Sequence, residues 1–280
     1  MSMERLVIDQ ASADEMEFLV SSAKAEGWNP GLFDAVPFFH TDPNGFFIGK
    51  INGKAVGSIS AVAYDDTYGF MGFYIVAPDY RGKGYGLELW NQAIAYLGNR
   101  IIGLDGVVDQ QDNYKKSGFT LFYNNIRFCG KAEGEHSKTL QSLSEIPFQY
   151  LVDYDTSIFG LNRVRFLQSW IRMPNARGLA KTSGREVIGY GVIRQCDTGY
   201  KIGPLFSNDL STAKEIFRAL IASVGNADIY LDVPQINSDA MKLAQDHNLV
   251  KVFETARMYN KSPPKQELAK VFGVTTFELG

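Results

Sequence analysis

The chain has 280 residues, 45% hydrophobic, 13% aromatic and 21% charged, which is globular composition and excludes a disordered or fibrous protein. Lys and Arg number 28 against 31 Asp and Glu, a formal net charge of −3, so no overall polycationic surface is offered to nucleic acid or acidic lipid. No apolar run approaches the roughly 20 residues needed to cross a bilayer, and Met1 to Leu6 lacks the basic region and apolar segment of a signal peptide.

In chain order, Arg5–Ile8 reads as a short strand and Ala11–Gly27 as a helix, with Ser12 as N-cap, Glu15 three residues later and Gly27 as the stop. A second helix is predicted over Leu32–His40. The turn Asp42-Pro43-Asn44-Gly45 precedes three strands, Phe46–Ile51, Ala55–Tyr64 and Tyr68–Val76, the first two joined by the hairpin pair Asn52-Gly53. Leu87, Trp90, Ile94 and Leu97 mark one face of a helix over Gly84–Leu97. A strand Ile101–Val107, a short helix Gln110–Lys116 ending at Gly118, and a strand Phe119–Phe128 complete the order β-α-α-β-β-β-α-β-α-β.

Polar residues from Gly130 to Glu145 read as a linker or exposed hairpin end, and Asn162–Ile171 as a helix with Val164, Leu167 and Ile171 inward. Most of the first pattern then recurs about 131 residues later: strands Val187–Arg194 and Tyr200–Phe206, an amphipathic helix carrying Ala213, Ile216, Phe217, Leu220, Ile221 and Val224, a strand Ile229–Val233, a helix Ser238–Asp246 and a strand Val250–Tyr259. A short helix is expected over Gln266–Phe272. Cys129 and Cys196 are far apart and His40, His136 and His247 lack metal-ligand spacing, so neither a disulfide framework nor a metal site is expected. The cysteine usage suits a reducing, cytoplasmic setting.

Val76-Ala77-Pro78-Asp79-Tyr80-Arg81-Gly82-Lys83-Gly84-Tyr85-Gly86-Leu87 carries the chemistry. A strand passes through a proline turn into a glycine-rich loop and then a helix, whose first N–H groups and dipole favour an anion such as pyrophosphate. Arg81 and Lys83 add charge. A P-loop is excluded because Gly84 follows Lys83 where Ser or Thr is required, and a dinucleotide GxGxxG because Leu87 stands at the third glycine.

Arg81-x-x-Gly84-x-Gly86, entered from a strand ending Val76-x-Pro78, resembles the acetyl-CoA signature of the GCN5-related N-acetyltransferase (GNAT) family. Tyr114-Lys115-Lys116-Ser117-Gly118-Phe119 is similar to that family's Tyr-x-Lys-x-Gly-Phe segment, although Val107 stands where the family often has asparagine. The resemblance implies an α/β (α+β) fold of two GNAT-like domains, each a central mixed, mostly antiparallel sheet flanked by helices. It places an acetyl-CoA-binding domain over 1–130, a linker over 131–145 and a degenerate second copy over 146–280, akin to tandem proteins of the YitH/HolE type. At the second strand-to-helix junction, Gly203-Pro204-Leu205-Phe206 replaces RxxGxG and no basic residue follows, so no second CoA site is expected.

The family's chemistry implies transfer of an acetyl or other short acyl group from acetyl-CoA to a primary amine of a small molecule or amino acid by direct attack, without nucleic-acid or membrane partners. Tyr74 and Val76 would meet pantetheine, and Arg81, Gly82, Lys83, Gly84, Tyr85 and Gly86 would hold pyrophosphate. Tyr114 would protonate the departing thiolate. Freeing a lysine-like amine of its proton at neutral pH costs about 4.6 kcal/mol, yet the strand Tyr68–Val76 has no carboxylate. Asp65 and Asp66 beside it, and Trp28 and Asp34 earlier in the chain, are the acceptor-site candidates, with Asp153, Asp155 and Asp232 available if the halves face each other. The alternative is a CoA-binding sensor that does not turn over. The sequence sets neither the acceptor nor the oligomeric state.

Overall fold

The computed structural model describes residues 5–280; Met1–Glu4, the start of the segment read as lacking a signal peptide, lies outside them. In the first half, strands β1 (Val7–Gln10), β2 (Phe46–Ile51), β3 (Lys54–Ala63), β4 (Tyr68–Val76), β5 (Ile101–Val107) and β6 (Thr120–Gly130) alternate with helices α1 (Met16–Ala25), α2 (Ala35–Thr41), α3 (Tyr85–Leu97) and α4 (Gln111–Lys116). The second half has β7 (Gln141–Ser142), α5 (Phe148–Phe159), α6 (Val164–Trp170), β8 (Arg177–Ser183), β9 (Glu186–Gln195), β10 (Tyr200–Ser207), α7 (Leu210–Ala222), β11 (Ile229–Pro234), α8 (Ser238–Asp246), β12 (Val250–Tyr259) and β13 (Val271–Gly273).

All thirteen strands form one mixed, mostly antiparallel sheet, in the order β1-β2-β3-β4-β5-β12-β6-β11-β10-β9-β8-β7, with β13 added to β10. The parallel pairs are β4 with β5 and β10 with β11, each joined by a crossover helix, α3 or α7. The last long strands of the two halves are exchanged. β12 lies against β5 from Thr255↔Val107 to Tyr259↔Gly103, and β6 lies against β11 from Ile229↔Gly130 to Pro234↔Asn125.

Three buried ion pairs join the halves: Asp34 with Arg194 at 2.8 Å, Arg127 with Asp232 at 2.7 Å, and Asp105 with Arg257 at 2.6 Å. Both side chains of each pair are buried, so either one left alone would be an uncompensated charge, and the observed docking satisfies all three. One core packs beneath α3, a second beneath α7 and α8, and a third combines α1 and α2 with α5 and α6 of the other half.

Local signals explain most boundaries and some departures. Ser12 and Glu15 cap each other reciprocally, Ser12 N–H to Glu15 Oε2 at 2.9 Å and Glu15 N–H to Ser12 Oγ at 3.3 Å, but the regular helix begins only at Met16. The buried stripe of α3 is Tyr85, Leu89, Trp90, Ala93 and Leu97, whereas Leu87, expected inward, is 63% exposed. In α6 the inward set is Phe166, Leu167 and Trp170, and Val164 faces outward. The aromatic and β-branched run of α5 and the strand β8 carried no helical or strand prediction. The supposed linker contains β7 and a 3-10 turn at Leu143–Glu145, closed by a Ser142–Glu145 capping box. Gln266–Phe272 is not a helix: only Leu268–Lys270 makes a 3-10 turn before β13, because β10 offers that segment a strand edge.

Candidate active site

The strands β4 and β5 pair in parallel from Tyr68↔Ile101 to Met71↔Leu104 and then separate. Between Ser58↔Ile75 and Ser60↔Gly72 the register of β4 against β3 shifts, and Phe73 inside this bulge has φ 47°, a left-handed conformation unusual for a bulky side chain. Such strain is held by its surroundings: Ser58 Oγ donates to the Phe73 carbonyl at 2.9 Å, and the Phe73 ring packs edge-on against Phe38. The gap beyond Met71 opens into a cleft of about 490 Å³, within the range of small-molecule sites.

One end of this cleft is the glycine-rich loop. After the 3-10 turn Pro78–Tyr80, Gly84 caps α3 with φ 88°, a conformation that glycine adopts without the steric cost a Cβ imposes. Among the described residues nothing stands within 4 Å of where a Cβ on Gly82 or Gly84 would project, so they leave the outer side of the loop open to a ligand. Arg81 Nε donates to the Val76 carbonyl at 2.7 Å and its guanidinium pairs with Glu26, while Lys83 Nζ donates to the Asp79 carbonyl at 2.8 Å and lies over the Tyr80 ring. The cationic side chains are thus pinned beside the uncapped first turn of α3, and these features suit a pyrophosphate.

Tyr74, Val76, Arg81, Gly82 and Gly86 line the cleft; Lys83 and Gly84 stand outside its lining, and Tyr85 is buried in the core under α3. A Cβ on Gly86 would come within 2.8 Å of the Tyr74 hydroxyl, so the small residue admits that ring. Tyr114 also lines the cleft. Its ring stacks on Trp90 at 5.7 Å and lies so close to β5 that a Cβ on Gly106 would be 2.2 Å from it. Burial pushes the Tyr114 phenol well above its ordinary pKa, so it stays protonated at neutral pH and is available as a donor.

The acceptor candidates divide. Trp28 lines the cleft, and its carbonyl accepts from Arg127 at 2.6 Å. Asp34 is buried under Arg194 and also accepts from the Gly31 N–H, away from the lining. Asp65 closes its own turn by accepting from the Thr67 and Tyr68 N–H groups, and Asp66 is fully exposed near Arg100; neither borders the cleft. Asp155 and Asp232 are held by Arg163 and Arg127, and Asp153 accepts from Gln149 on the surface.

Other cleft residues escaped the sequence reading: Glu26, Asp105, Phe253, Thr255, Phe277 and Glu278. Phe253 and Thr255 lie two residues apart on β12 and so share a strand face, but no local signal in the sequence brings β12 beside β5. In the second half, β10 and β11 separate beyond Ile202, and β13 fills that gap by pairing with Leu205 and Phe206. A Cβ on Gly203 would be 2.5 Å from the Thr275 carbonyl oxygen, so the chain itself occupies the place corresponding to the first half's cleft. No group of three metal-ligating side chains occurs among the described residues.

An acetyltransferase (GNAT) family model matches residues 13–119, and an acetyltransferase (GNAT) domain model matches residues 151–273. Holothin acyltransferase of Pseudoalteromonas sp. (strain SANK 73390) is 33% identical over 273 residues, covering 96% of this chain and 93% of that protein. The uncharacterized N-acetyltransferase YitH of Bacillus subtilis (strain 168) is 25% identical over 169 residues, 59% of this chain and 60% of its own length. Among solved structures, an acetyltransferase-type protein of Pyrococcus horikoshii superposes with TM-score 0.84 at 21% identity, covering 100% of this chain and 98% of that one. A tandem GNAT protein from the clavulanic acid biosynthesis pathway gives TM-score 0.64 at 12% identity, covering 94% and 100%. Matched in both halves and along nearly its whole length, the chain belongs to the GNAT family as a tandem member, and it is an acyltransferase.

Proposed function

We propose that the protein transfers an acetyl or other short acyl group from its CoA thioester to the primary amine of a small molecule by direct attack. The observation that carries this reading is a single cleft running from the Arg81–Gly82 loop, along Tyr74 and Val76, to the point where β4 and β5 part. Acetyl-CoA supplies the activated acyl group. The uncapped start of α3, with Arg81 and Lys83 beside it, holds the pyrophosphate, and the free edge of β4 beyond Met71 offers backbone groups to the pantetheine amides. Tyr114 gives a proton to the departing sulfur. Catalysis then rests on orientation and on stabilising charge that develops on the acyl oxygen, with no covalent acyl-enzyme. The name of the holothin-acylating relative supports a small-molecule acceptor.

Gly84→Val is the direct test. Its branched side chain opposes the 88° φ and intrudes on the phosphate side of the loop, so calorimetry is expected to show at least a tenfold loss of acetyl-CoA affinity. Retained affinity sinks the pyrophosphate assignment. Acetyl-CoA binding by wild type with no thiol release from any amine favours the sensor instead.

A further inference from the structure

A direct attack leaves the amine's protons without an assigned acceptor, and this inference rests on that reading. Three carboxylates line the cleft. Glu26 is paired with Arg81, and Asp105 accepts a two-pronged contact from Arg257 at 2.7 and 2.6 Å. Glu278 differs: it is 3% exposed and makes no ion pair among the described residues. Arg127 and Arg194 feel its charge, but Asp232 holds the Arg127 guanidinium and Asp34 holds Nε and Nη2 of Arg194, whose buried Nη1 has no hydrogen-bond partner among the described residues.

The position of Glu278 is equally specific. Its backbone lies on Gly72, where a Cβ would come within 2.2 Å of the Glu278 carbonyl oxygen. Gly72 directly follows Met71, the last β4 residue paired with β5, so Glu278 stands at the apex where the strands part. Tyr114 stands against Gly106 of the opposite strand. Two groups able to handle protons therefore flank the apex, one from each half of the chain.

Trp28, Phe253 and Phe277 share the cleft lining with Glu278. The Phe253 and Phe277 rings are 6.3 Å apart, with Arg127 fixed over Phe277 at 4.7 Å, and Trp28 is tied to the same guanidinium through its carbonyl. Thr255, also in the lining, has a buried hydroxyl with no hydrogen-bond partner among the described residues.

We propose that Glu278 is the catalytic base of the acyl transfer, and that Trp28, Phe253 and Phe277 seat the apolar, ring-sized body of a compact primary amine. Glu278 removes a proton from the ammonium and passes it to solvent. The freed lone pair forms the C–N bond to the thioester carbonyl carbon while the C–S bond breaks. Glu278 takes the second nitrogen proton, and the thiolate takes one from Tyr114, which regains it from solvent. One ammonium and one thioester thus give one amide, one thiol and one released proton.

Benzylamine, an ammonium at neutral pH, and aniline, a neutral amine of similar ring, separate the roles. Thiol release is followed with acetyl-CoA for wild type and Glu278→Gln, with acetyl-CoA affinity measured by calorimetry. Wild type is expected to acetylate both amines. Glu278→Gln is expected to bind acetyl-CoA within about twofold of wild type, to lose kcat with benzylamine on the order of 10²-fold, and to lose distinctly less with aniline, which arrives deprotonated. Unchanged kcat overturns the base, and an equal loss with both amines, or a matching loss of acetyl-CoA affinity, assigns Glu278 a structural role and also overturns it. Acetyl-CoA binding by wild type with no thiol release from either amine overturns the acceptor seat. Failure of wild type to bind acetyl-CoA instead removes the proposed function, and this inference with it.

Discussion

At the scale of single residues, the roles proposed for the phenol of Tyr114 and for the loop at Arg81–Gly86 have opposite needs. A proton donor benefits from burial, which keeps the phenol neutral, whereas a pyrophosphate site needs open backbone and exposed charge. Tyr114→Phe removes the donor while keeping the ring that stacks on Trp90. The expected result is a 10- to 100-fold fall in kcat with acetyl-CoA affinity within about twofold, read by thiol release and calorimetry; an unchanged kcat removes Tyr114 as the acid. The motifs around Tyr114 and Arg81–Gly86 stand out in the sequence because each is contiguous, and the structure brings Tyr114, Arg81, Gly82 and Gly86 to one cleft. Asp34 and Asp65 look equally available in a sequence, but the fold commits one to Arg194 and the other to its own turn. A carboxylate's role follows from its partner, and partners in space leave no trace in spacing.

At the scale of elements, β12 ties the two halves together, pairing with both β5 and β6. It supplies Phe253 and Thr255 to the cleft that opens where β4 and β5 part, and its Arg257 pairs with Asp105 in the cleft wall. Both members of that pair are buried, so Arg257→Met strands a carboxylate without a counter-charge. A loss of about 3–5 kcal/mol in urea unfolding is expected, while Asp105→Asn combined with Arg257→Met is expected to recover part of it. A stability change below about 1 kcal/mol for the single variant contradicts a dependence on this pair. The strand itself was predicted at its observed limits, since alternating apolar positions mark a strand wherever it lies. Its neighbours were not, because a ladder is completed by whichever edge the fold presents, and here that edge belongs to the other half.

At the scale of the whole molecule, two family matches in one chain suggest two folding units, yet the strand exchange makes them one sheet. β5 meets only β12 on its outer side and β11 meets only β6 there, so neither half has a complete sheet without the other. Full-length protein is therefore expected to unfold in one cooperative transition, with tryptophan fluorescence and far-UV circular dichroism coincident in urea, although two-domain chains often show two. Resolved transitions would mean that the exchanged strands detach without unfolding either core. Local chemistry in the sequence determined most helices and strands of the repeat, the glycine-rich loop and the family they signal, because capping, periodicity and glycine spacing act over a few residues. Only the tertiary structure decided that the halves trade strands, that β13 fills the second cleft, and that Glu278 reaches the first, because those contacts join residues far apart in the chain, from Phe206 and Val271 to Gly72 and Glu278, and depend on which edges and charges remain unsatisfied when the halves dock.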